Sequence, residues 1–169
     1  MSRLESGRIT LEKTTLLIED IVREAVVPVR EIAEQKRLEL RIDIPSGLVF
    51  EADAKAMHQI LVNLLQNAVK FTPDSGCIAI RAKQINNAVN IYVEDNGIGI
   101  PKESLNKLAR PFEQVEGELS KTYKGSGLGL AIARSLAELH HGSLRIRSHL
   151  GSGTMVMVHL PLGNPKLSS

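Results

Sequence analysis

Apolar positions along the chain recur with two different periods, and so predict a mixture of helices and strands. Between residues 17 and 33 the apolar positions have helical spacing, and we expect Pro28 to kink or break that helix. A second helix is predicted over 54–71, with Asp53 as its N-cap and Thr72-Pro73 as its stop. A third is predicted in the second half of the glycine-containing segment 124–142.

Strands are predicted where apolar residues alternate with polar ones or form short runs, at 8–14, 38–44, 77–85, 88–95, 143–148 and 154–162. Asn86-Asn87 is typical of a hairpin turn between two of them. These elements predict an α/β fold, a two-layer sandwich with one mixed, mostly antiparallel sheet of about five strands and helices on one face. The irregular stretch 96–127 exceeds the usual length of a connection, which is typical of a lid or a disordered loop.

Composition excludes several classes of protein. The 169 residues are 43% hydrophobic and 24% charged, which is normal for a soluble domain, and the net charge of +2 is too small to indicate nucleic acid binding. Cys77 is the single cysteine, so an intrachain disulfide and a cysteine zinc cluster are excluded. No apolar run reaches the roughly 18 residues of a membrane span, and no signal peptide is visible. We expect no direct membrane contact, although a parent protein could carry membrane segments.

The segment KGSGLGLAIARSLAELHHG places glycines at 125, 127 and 129, where its helix should begin. Glycine costs about 1 kcal/mol against alanine inside a helix, so its use here indicates that something approaches the backbone closely. A helix start offers unpaired N–H groups and a positive dipole end, which favour an anion such as phosphate. At the other end, His140 and His141 are expected to be imidazolium groups that suit the negative end of the dipole.

On the helix predicted over 54–71, polar residues recur at steps of four, four and three, which places them on one face: Gln59, Asn63, Asn67 and Lys70. An amide oxygen can coordinate Mg²⁺ and a lysine can contact a phosphate. The alternative is an ordinary solvent-facing side of an amphipathic helix.

Two further glycine segments leave similar alternatives open. In VEDNGIGIP (93–101) a predicted strand ends in Glu94-Asp95, followed by Gly97 and Gly99. A carboxylate there suits a ligand amino group on a flat ring, whereas the plain alternative is a glycine turn capped by the aspartate. The segment GSGT (151–154) could likewise be an ordinary hairpin turn.

Together and in this order, the motifs resemble those of the ATP-binding catalytic domain of sensor histidine kinases. The matching segments are NLLQNAVKF (63–71), DNGIGI (95–100), RPFEQV (110–115), GSGLGL (125–130) and GSGT (151–154). The finer pattern of 111–133 is similar to kinases of the hybrid and cell-cycle type. The resemblance implies the Bergerat fold, shared with gyrase and a heat-shock chaperone, in which the nucleotide lies between helices and a mobile lid.

The resemblance implies a role for each matching residue, with ATP or ADP and Mg²⁺ as ligands. Asp95 would accept a hydrogen bond from the adenine amino group, assisted through water by Thr154. Gly97 and Gly99, with Ile100 after them, would let the adenine lie against the backbone. The resemblance also implies that the phosphates are wrapped by the start of the third helix: Gly125, Ser126, Gly127, Leu128, Gly129 and Leu130.

The same resemblance implies that Asn67 coordinates Mg²⁺, with Asn63 beside it and Lys70 on a phosphate. In the lid, it implies that Lys121 and Lys124 neutralise the γ-phosphate and that Tyr123 packs over the nucleotide. Phe112 would be the lid's hydrophobic anchor, the alternative being simple core packing.

Asn63 also separates a kinase from an ATPase. The hydrolytic relatives carry a glutamate at this position as a base for water, and an amide cannot take a proton near neutral pH. We therefore expect slow hydrolysis, with Asn63, Lys70, Lys121 and Lys124 serving phosphoryl transfer to a nucleophile from outside the domain. Alternatives are a degenerate kinase domain that acts as a scaffold for a regulator, and a free-standing ATPase.

The resemblance implies a domain organisation as well. Residues 1–9 would be the remnant of a preceding dimerisation helix or linker, 10–162 the catalytic domain and 163–169 a disordered tail. The phosphoacceptor histidine would lie in a helical hairpin domain of a longer parent, since none of the five histidines lies in a matching context. The implied partners are that hairpin domain, in a homodimeric parent, and the receiver domain of a response regulator in the bacterial cytoplasm.

Overall fold

A five-stranded mixed sheet carries the fold, and helices pack on one of its faces. The computed structural model of the protein describes residues 10–100 and 128–162. Its elements are β1 (Lys13–Leu17), α1 (Ile18–Gln35), β2 (Glu39–Asp43), β3 (Val49–Asp53), α2 (Ala54–Phe71), β4 (Cys77–Ile85), β5 (Ala88–Asp95), α3 (Leu128–Leu139), β6 (Ser143–His149) and β7 (Gly153–Pro161).

The strands of the large sheet follow the order β2-β4-β5-β7-β6, and β1 and β3 form a separate antiparallel pair. Among the described residues, β2–β4 is the one parallel pair of the large sheet. The expected mixed, mostly antiparallel sheet of five strands is therefore confirmed. The β4–β5 hairpin also matches its prediction, and Asn86 in its turn adopts a φ of 54°, a left-handed conformation that asparagine tolerates.

Helix α2 lies at the centre of the molecule and packs against both α1 and α3. Its apolar side is fully buried at Met57, Ile60, Leu61 and Leu65. On the sheet, alternate residues such as Ile78, Ile80 and Ile91 are buried in the same core. Because the apolar side of α2 is buried in this aliphatic core, the opposite side of α2 is turned away from the core.

Asp53 caps the first turn of α2, as its sequence position predicts. One carboxylate oxygen accepts the N–H of Ala56 at 2.9 Å, and the other accepts the N–H of Glu12 at 2.8 Å. Burial alone would raise the pKa of Asp53, but these N–H donors outweigh it and hold that pKa below its usual value. The helix ends at Thr72, whose hydroxyl donates to the carbonyl of Ala68 at 2.6 Å.

His140 differs from its expected imidazolium form. Its side chain is only 4% exposed, and its Nε2 lies 3.1 Å from the backbone N–H of Asp53. A backbone N–H can only donate, so Nε2 carries no proton, and Nδ1–H donates to the carbonyl of Leu136 at 2.8 Å. Burial lowers the pKa of His140, which agrees with a neutral ring.

Three features of the fold depart from the sequence pattern. Helix α1 continues through Pro28, an exposed residue, without a break. The first strand begins at Lys13, since the described residues 10–12 before it are in no strand, and β3 was not predicted. Within 10–100 and 128–162 no helix has the length and apolarity needed to cross a membrane.

Candidate functional site

An open cavity lies where α2 faces the sheet, with about 30 Å³ of space accessible to water. The first turn of α3 closes one side of it. Its lining comes from α2, β5, α3, β6 and β7: Leu64, Asn67, Ala68, Phe71, Val93, Asp95, Leu130, Ile146, Thr154 and Val156. Most of these side chains are apolar, so Asn67, Asp95 and Thr154 supply the polar groups that could orient a ligand.

Asp95 ends β5 and pairs with Thr154 at the start of β7. Its Oδ1 accepts the N–H of Gly97 at 2.9 Å, and the carboxylate also accepts the backbone N–H of Thr154. Burial raises the pKa of Asp95, and these two N–H groups oppose that shift. The carboxylate is thus oriented by the backbone and is a strong acceptor for a ligand N–H group.

Ser148 joins the two glycine segments beside Asp95. Its Oγ accepts the N–H of Ile100 at 2.7 Å and donates to the carbonyl of Gly153 at 2.8 Å. The Thr154 hydroxyl lies 2.9 Å from the same oxygen and therefore acts as the donor of that pair. This network fixes Thr154 in the lining of the cavity, where its oxygen can also contact a water molecule.

The last two turns of α2 carry Asn67 and Lys70 side by side. Asn67 lines the cavity, and among the described residues nothing bonds to its side-chain amide. The Lys70 ammonium is exposed, lies 5.7 Å from the centre of the Phe71 ring, and meets no carboxylate of the described ranges at ion-pair distance. An amide oxygen and a cation are therefore available to a ligand at this end of the cavity.

Asn63, one turn before Asn67, is 8% exposed and already has partners. Its amide nitrogen donates to the carbonyl of Gly129 at 3.1 Å, and its oxygen accepts from Gln59 Nε2 at 2.8 Å. The predicted polar stripe thus divides into two parts. Asn63, which also bonds to Gln59, joins α2 to α3, while Asn67 and Lys70 are left for a ligand.

Packing against the backbone explains some of the glycines near the cavity, but not all of them. A Cβ at Gly97 would lie 2.4 Å from the carbonyl oxygen of Phe71, and one at Gly99 would lie 2.1 Å from that of His149. Gly153, with φ +111°, would similarly meet the carbonyl of Asp95. Gly129 in the first turn of α3 has no positive φ, and no atom of the described residues lies within 4 Å of such a Cβ. Packing therefore explains the first three glycines but leaves the choice of Gly129 unexplained.

Several predicted site residues lie outside the described part of the chain, or are described only in part. These are Phe112, Lys121, Tyr123, Lys124, Gly125, Ser126 and Gly127, together with Leu128, of which only the helical backbone is described. The structure adds Phe71, Val93, Ile146 and Val156 to the cavity lining and Ser148 behind it. Strand alternation could have found the two valines, whereas no sequence signal pointed to Ser148.

A metal site built from acidic or imidazole side chains is not found in the described ranges. No group of three or more His, Cys, Asp or Glu side chains is placed there to hold an ion. A cation at this site would take the Asn67 amide oxygen together with oxygens supplied by a ligand, which is the pattern that Mg²⁺ shows with phosphates.

Comparison with known proteins assigns residues 52–164 to the family described as histidine kinase-, DNA gyrase B-, and HSP90-like ATPases. Two proteins of Caulobacter vibrioides are similar over 96% of this chain. The non-motile and phage-resistance protein is 45% identical over 166 residues, which cover 20% of its length. The histidine protein kinase DivJ is 38% identical over 163 residues, which cover 27% of its length. The chain thus spans about a fifth to a quarter of these curated relatives.

The fold is also found among solved structures. The catalytic domain of the histidine kinase ThkA, in a nucleotide-free form, superposes with a TM-score of 0.79 at 27% identity over 90% of this chain and 97% of that domain. The predicted fold class and the resemblance read from the motifs are both confirmed. The chain belongs to the histidine kinase-, DNA gyrase B-, and HSP90-like ATPase family, and it has the fold of a histidine kinase catalytic domain.

Proposed function

We propose that this chain binds ATP with Mg²⁺ and is the catalytic domain, over residues 10–162, of a two-component sensor histidine kinase. It would transfer the γ-phosphoryl group to a histidine in a helical hairpin domain of the parent protein. The observation that carries the proposal is the position of Asp95 and Asn67, which line one cavity beside the first turn of α3. Membership of a family of ATPases supports a nucleotide as the ligand.

The adenine would bind at the Asp95 end. Its exocyclic amino group is a donor, and the half-buried carboxylate of Asp95 is an acceptor already oriented by Gly97 and Thr154. A water between Thr154 and the ring would use the polar corner of the cavity. The apolar side chains of Val93, Ile146 and Val156 suit the flat faces of a base.

The phosphates would bind at the Asn67 end. Lys70 offers a cation, and the start of α3 offers N–H groups together with the positive end of its dipole. No atom of the described residues lies within 4 Å of a Cβ built at Gly129, which supports a close approach of phosphate to the backbone. When bound through Asn67, Mg²⁺ would neutralise phosphate charge. The predicted contacts of Lys121, Tyr123, Lys124 and 125–128 belong to this proposal.

Transfer is favoured over hydrolysis because no base is placed at Asn63. This residue is an amide, and its nitrogen and oxygen are engaged by Gly129 and Gln59. It cannot accept a proton from water, so the γ-phosphoryl group is kept for a histidine presented by another domain. The chain spans only a small part of the length of these relatives, and this supports further domains in the parent. We expect a homodimeric, bacterial parent, with a response regulator receiver domain as the next acceptor.

Calorimetric titration with ATP tests the binding step. In the wild type, Mg²⁺ should strengthen ATP binding, and Asn67→Ala should abolish that gain while Gln66→Ala, an exposed neighbour on α2, keeps it. With radiolabelled ATP, the parent protein should acquire acid-labile, alkali-stable phosphate, and the Asn67→Ala parent should not. Rapid steady-state hydrolysis by the wild-type chain without phosphohistidine in the parent would contradict the proposal.

A further inference from the structure

Lys36, which lies outside every motif, contacts the C-terminal end of α2 from the neighbouring helix. It follows α1 directly, is half-buried, and its Nζ donates to the carbonyl of Val69 at 2.6 Å. The carbonyl of Lys70 lies 3.5 Å from the same ammonium. The last four carbonyls of a helix have no intrahelical donor, so a cation placed there both satisfies them and suits the helix dipole.

The remaining carbonyls of this turn are bonded as well. The Ala68 carbonyl accepts from Thr72, and the Phe71 carbonyl accepts the N–H of Ile98 at 3.3 Å. Lys36 is therefore one of the contacts that hold the last turn of α2 in the described part of the chain. The turn carries Lys70, and Asn67 lies directly before it.

We infer that Lys36 is a positioning residue for the phosphate and metal end of the site. It acts through the backbone of α2, since its ammonium is turned to Val69 and Lys70 carbonyls and it does not line the cavity. Without it, the turn loses the donor to two carbonyls, and Asn67 and Lys70 lose their fixed direction toward a ligand. This inference rests on the proposed nucleotide function and adds a residue to it.

The adenine end is held by different contacts. Asp95 is fixed by the N–H groups of Gly97 and Thr154 and by its place in the sheet. Loss of Lys36 should therefore weaken the contribution of the phosphates and the metal while leaving that of the base in place. If Lys36 served stability alone, its loss would weaken the contribution of the base and that of the phosphates and metal in proportion, or would weaken neither.

His140 provides a matched comparison at the opposite end of α2. It accepts the N–H of Asp53, the N-cap, and Asp53 and Val69 are 16 positions apart, so this contact lies about 24 Å along the helix from the Lys36 contact. His140→Gln should lower stability without disturbing Asn67 or Lys70. Lys83→Met is the second control, because Lys83 is an exposed lysine of β4 on a strand position that points away from the helices.

The experiment measures the dissociation constants of adenosine and of ATP with Mg²⁺ by competition calorimetry, along with the unfolding midpoint. Lys36→Met should lower the preference for ATP with Mg²⁺ over adenosine about tenfold, with adenosine affinity changed less than about twofold. Lys36→Arg, which keeps a cationic donor, should restore most of that preference. The preference should stay at the wild-type value in His140→Gln and in Lys83→Met.

An unchanged preference in Lys36→Met, with only a lower unfolding midpoint, would overturn the inference and leave Lys36 a stabilising residue. If Lys36→Met does not fold, Lys36→Gln replaces it, and the same two outcomes decide. A wild type that binds ATP with Mg²⁺ no better than adenosine would instead overturn the proposed function, and the inference with it.

Discussion

The side chain of Asn63 joins the two helices that border the site, because its amide nitrogen lies 3.1 Å from the carbonyl oxygen of Gly129. Asn63 is on α2, one turn before Asn67, and Gly129 is in the first turn of α3. The start of α3 is thereby held against α2. Asn63 was first singled out as a neighbour of a metal ligand, and the structure shows that it also connects two helices.

Asn63→Ala should lower the free energy of unfolding by about 1–2 kcal/mol, because it removes the hydrogen bonds to Gly129 and Gln59 and each is typically worth about 1 kcal/mol. Denaturant titration gives this number, and Gln66→Ala on the exposed side of α2 is the control, with a change below about 0.5 kcal/mol. Equal stabilities of the two variants would show that the contact to Gly129 adds nothing to the fold.

Asp53→Ala should cost about 0.5–2 kcal/mol of stability, because the carboxylate caps α2 through Ala56 and also holds the N–H of Glu12. The same measurement on Asp43→Ala provides the control, since Asp43 is an exposed aspartate at the end of β2. A loss in Asp43→Ala as large as that in Asp53→Ala would argue against a specific cap.

Acidification should destabilise the protein through His140. Its folded-state pKa is lowered by burial from the ordinary value of 6.5, so the unfolded chain takes up the proton more readily. Its contribution to stability is fully present above about pH 6.5 and is lost as the pH falls through the lower folded-state pKa. Protonation also removes the acceptor that Nε2 offers to the N–H of Asp53.

Unfolding midpoints measured from pH 7.5 down to pH 5 check this prediction. His140→Gln should lose part of the decline seen in the wild type, and His149→Gln, which changes an exposed histidine at the end of β6, is the control. A wild-type profile indistinguishable from that of His140→Gln would remove His140 as the titrating group.

The sequence predicted the elements whose signals are local. Helix α2 has a capping aspartate, a regular apolar face and a Thr-Pro stop, and the structure has it over Ala54–Phe71. The β4–β5 hairpin has two apolar strands around an Asn-Asn turn. Asp95 and Asn67 were singled out from the residue pattern around them, and the resemblance then implied their roles. The fold places both side chains in one cavity.

What the sequence could not predict depends on contacts between distant residues. Lys36 and Val69 are 33 positions apart, and His140 and Asp53 are 87 apart, so no local pattern connects either pair. The strand β3 is five residues long and is stabilised by pairing with β1. The strand propensities of its own residues do not reveal that pairing. The expectation that proline breaks a helix failed at Pro28, which is exposed to solvent.

The role of Asp95 makes a prediction about which base is bound. Adenine presents an amino donor to the carboxylate, whereas the hypoxanthine of inosine triphosphate presents a carbonyl oxygen in its place. Asp95→Asn should therefore weaken ATP binding by about 1–3 kcal/mol, the value of a hydrogen bond to a charged group. The same change supplies an amide donor, which suits the hypoxanthine oxygen. Glu94→Gln, the exposed neighbour on β5, is the control for loss of charge.

Calorimetric affinities for ATP and inosine triphosphate, both with Mg²⁺, therefore test the central claim most directly. The wild type and Glu94→Gln should bind ATP at least about tenfold more tightly than inosine triphosphate, and Asp95→Asn should lose most of that difference. Equal affinity of the wild type for the two nucleotides, or an unchanged preference in Asp95→Asn, would contradict the assignment of this cavity as an adenine nucleotide site.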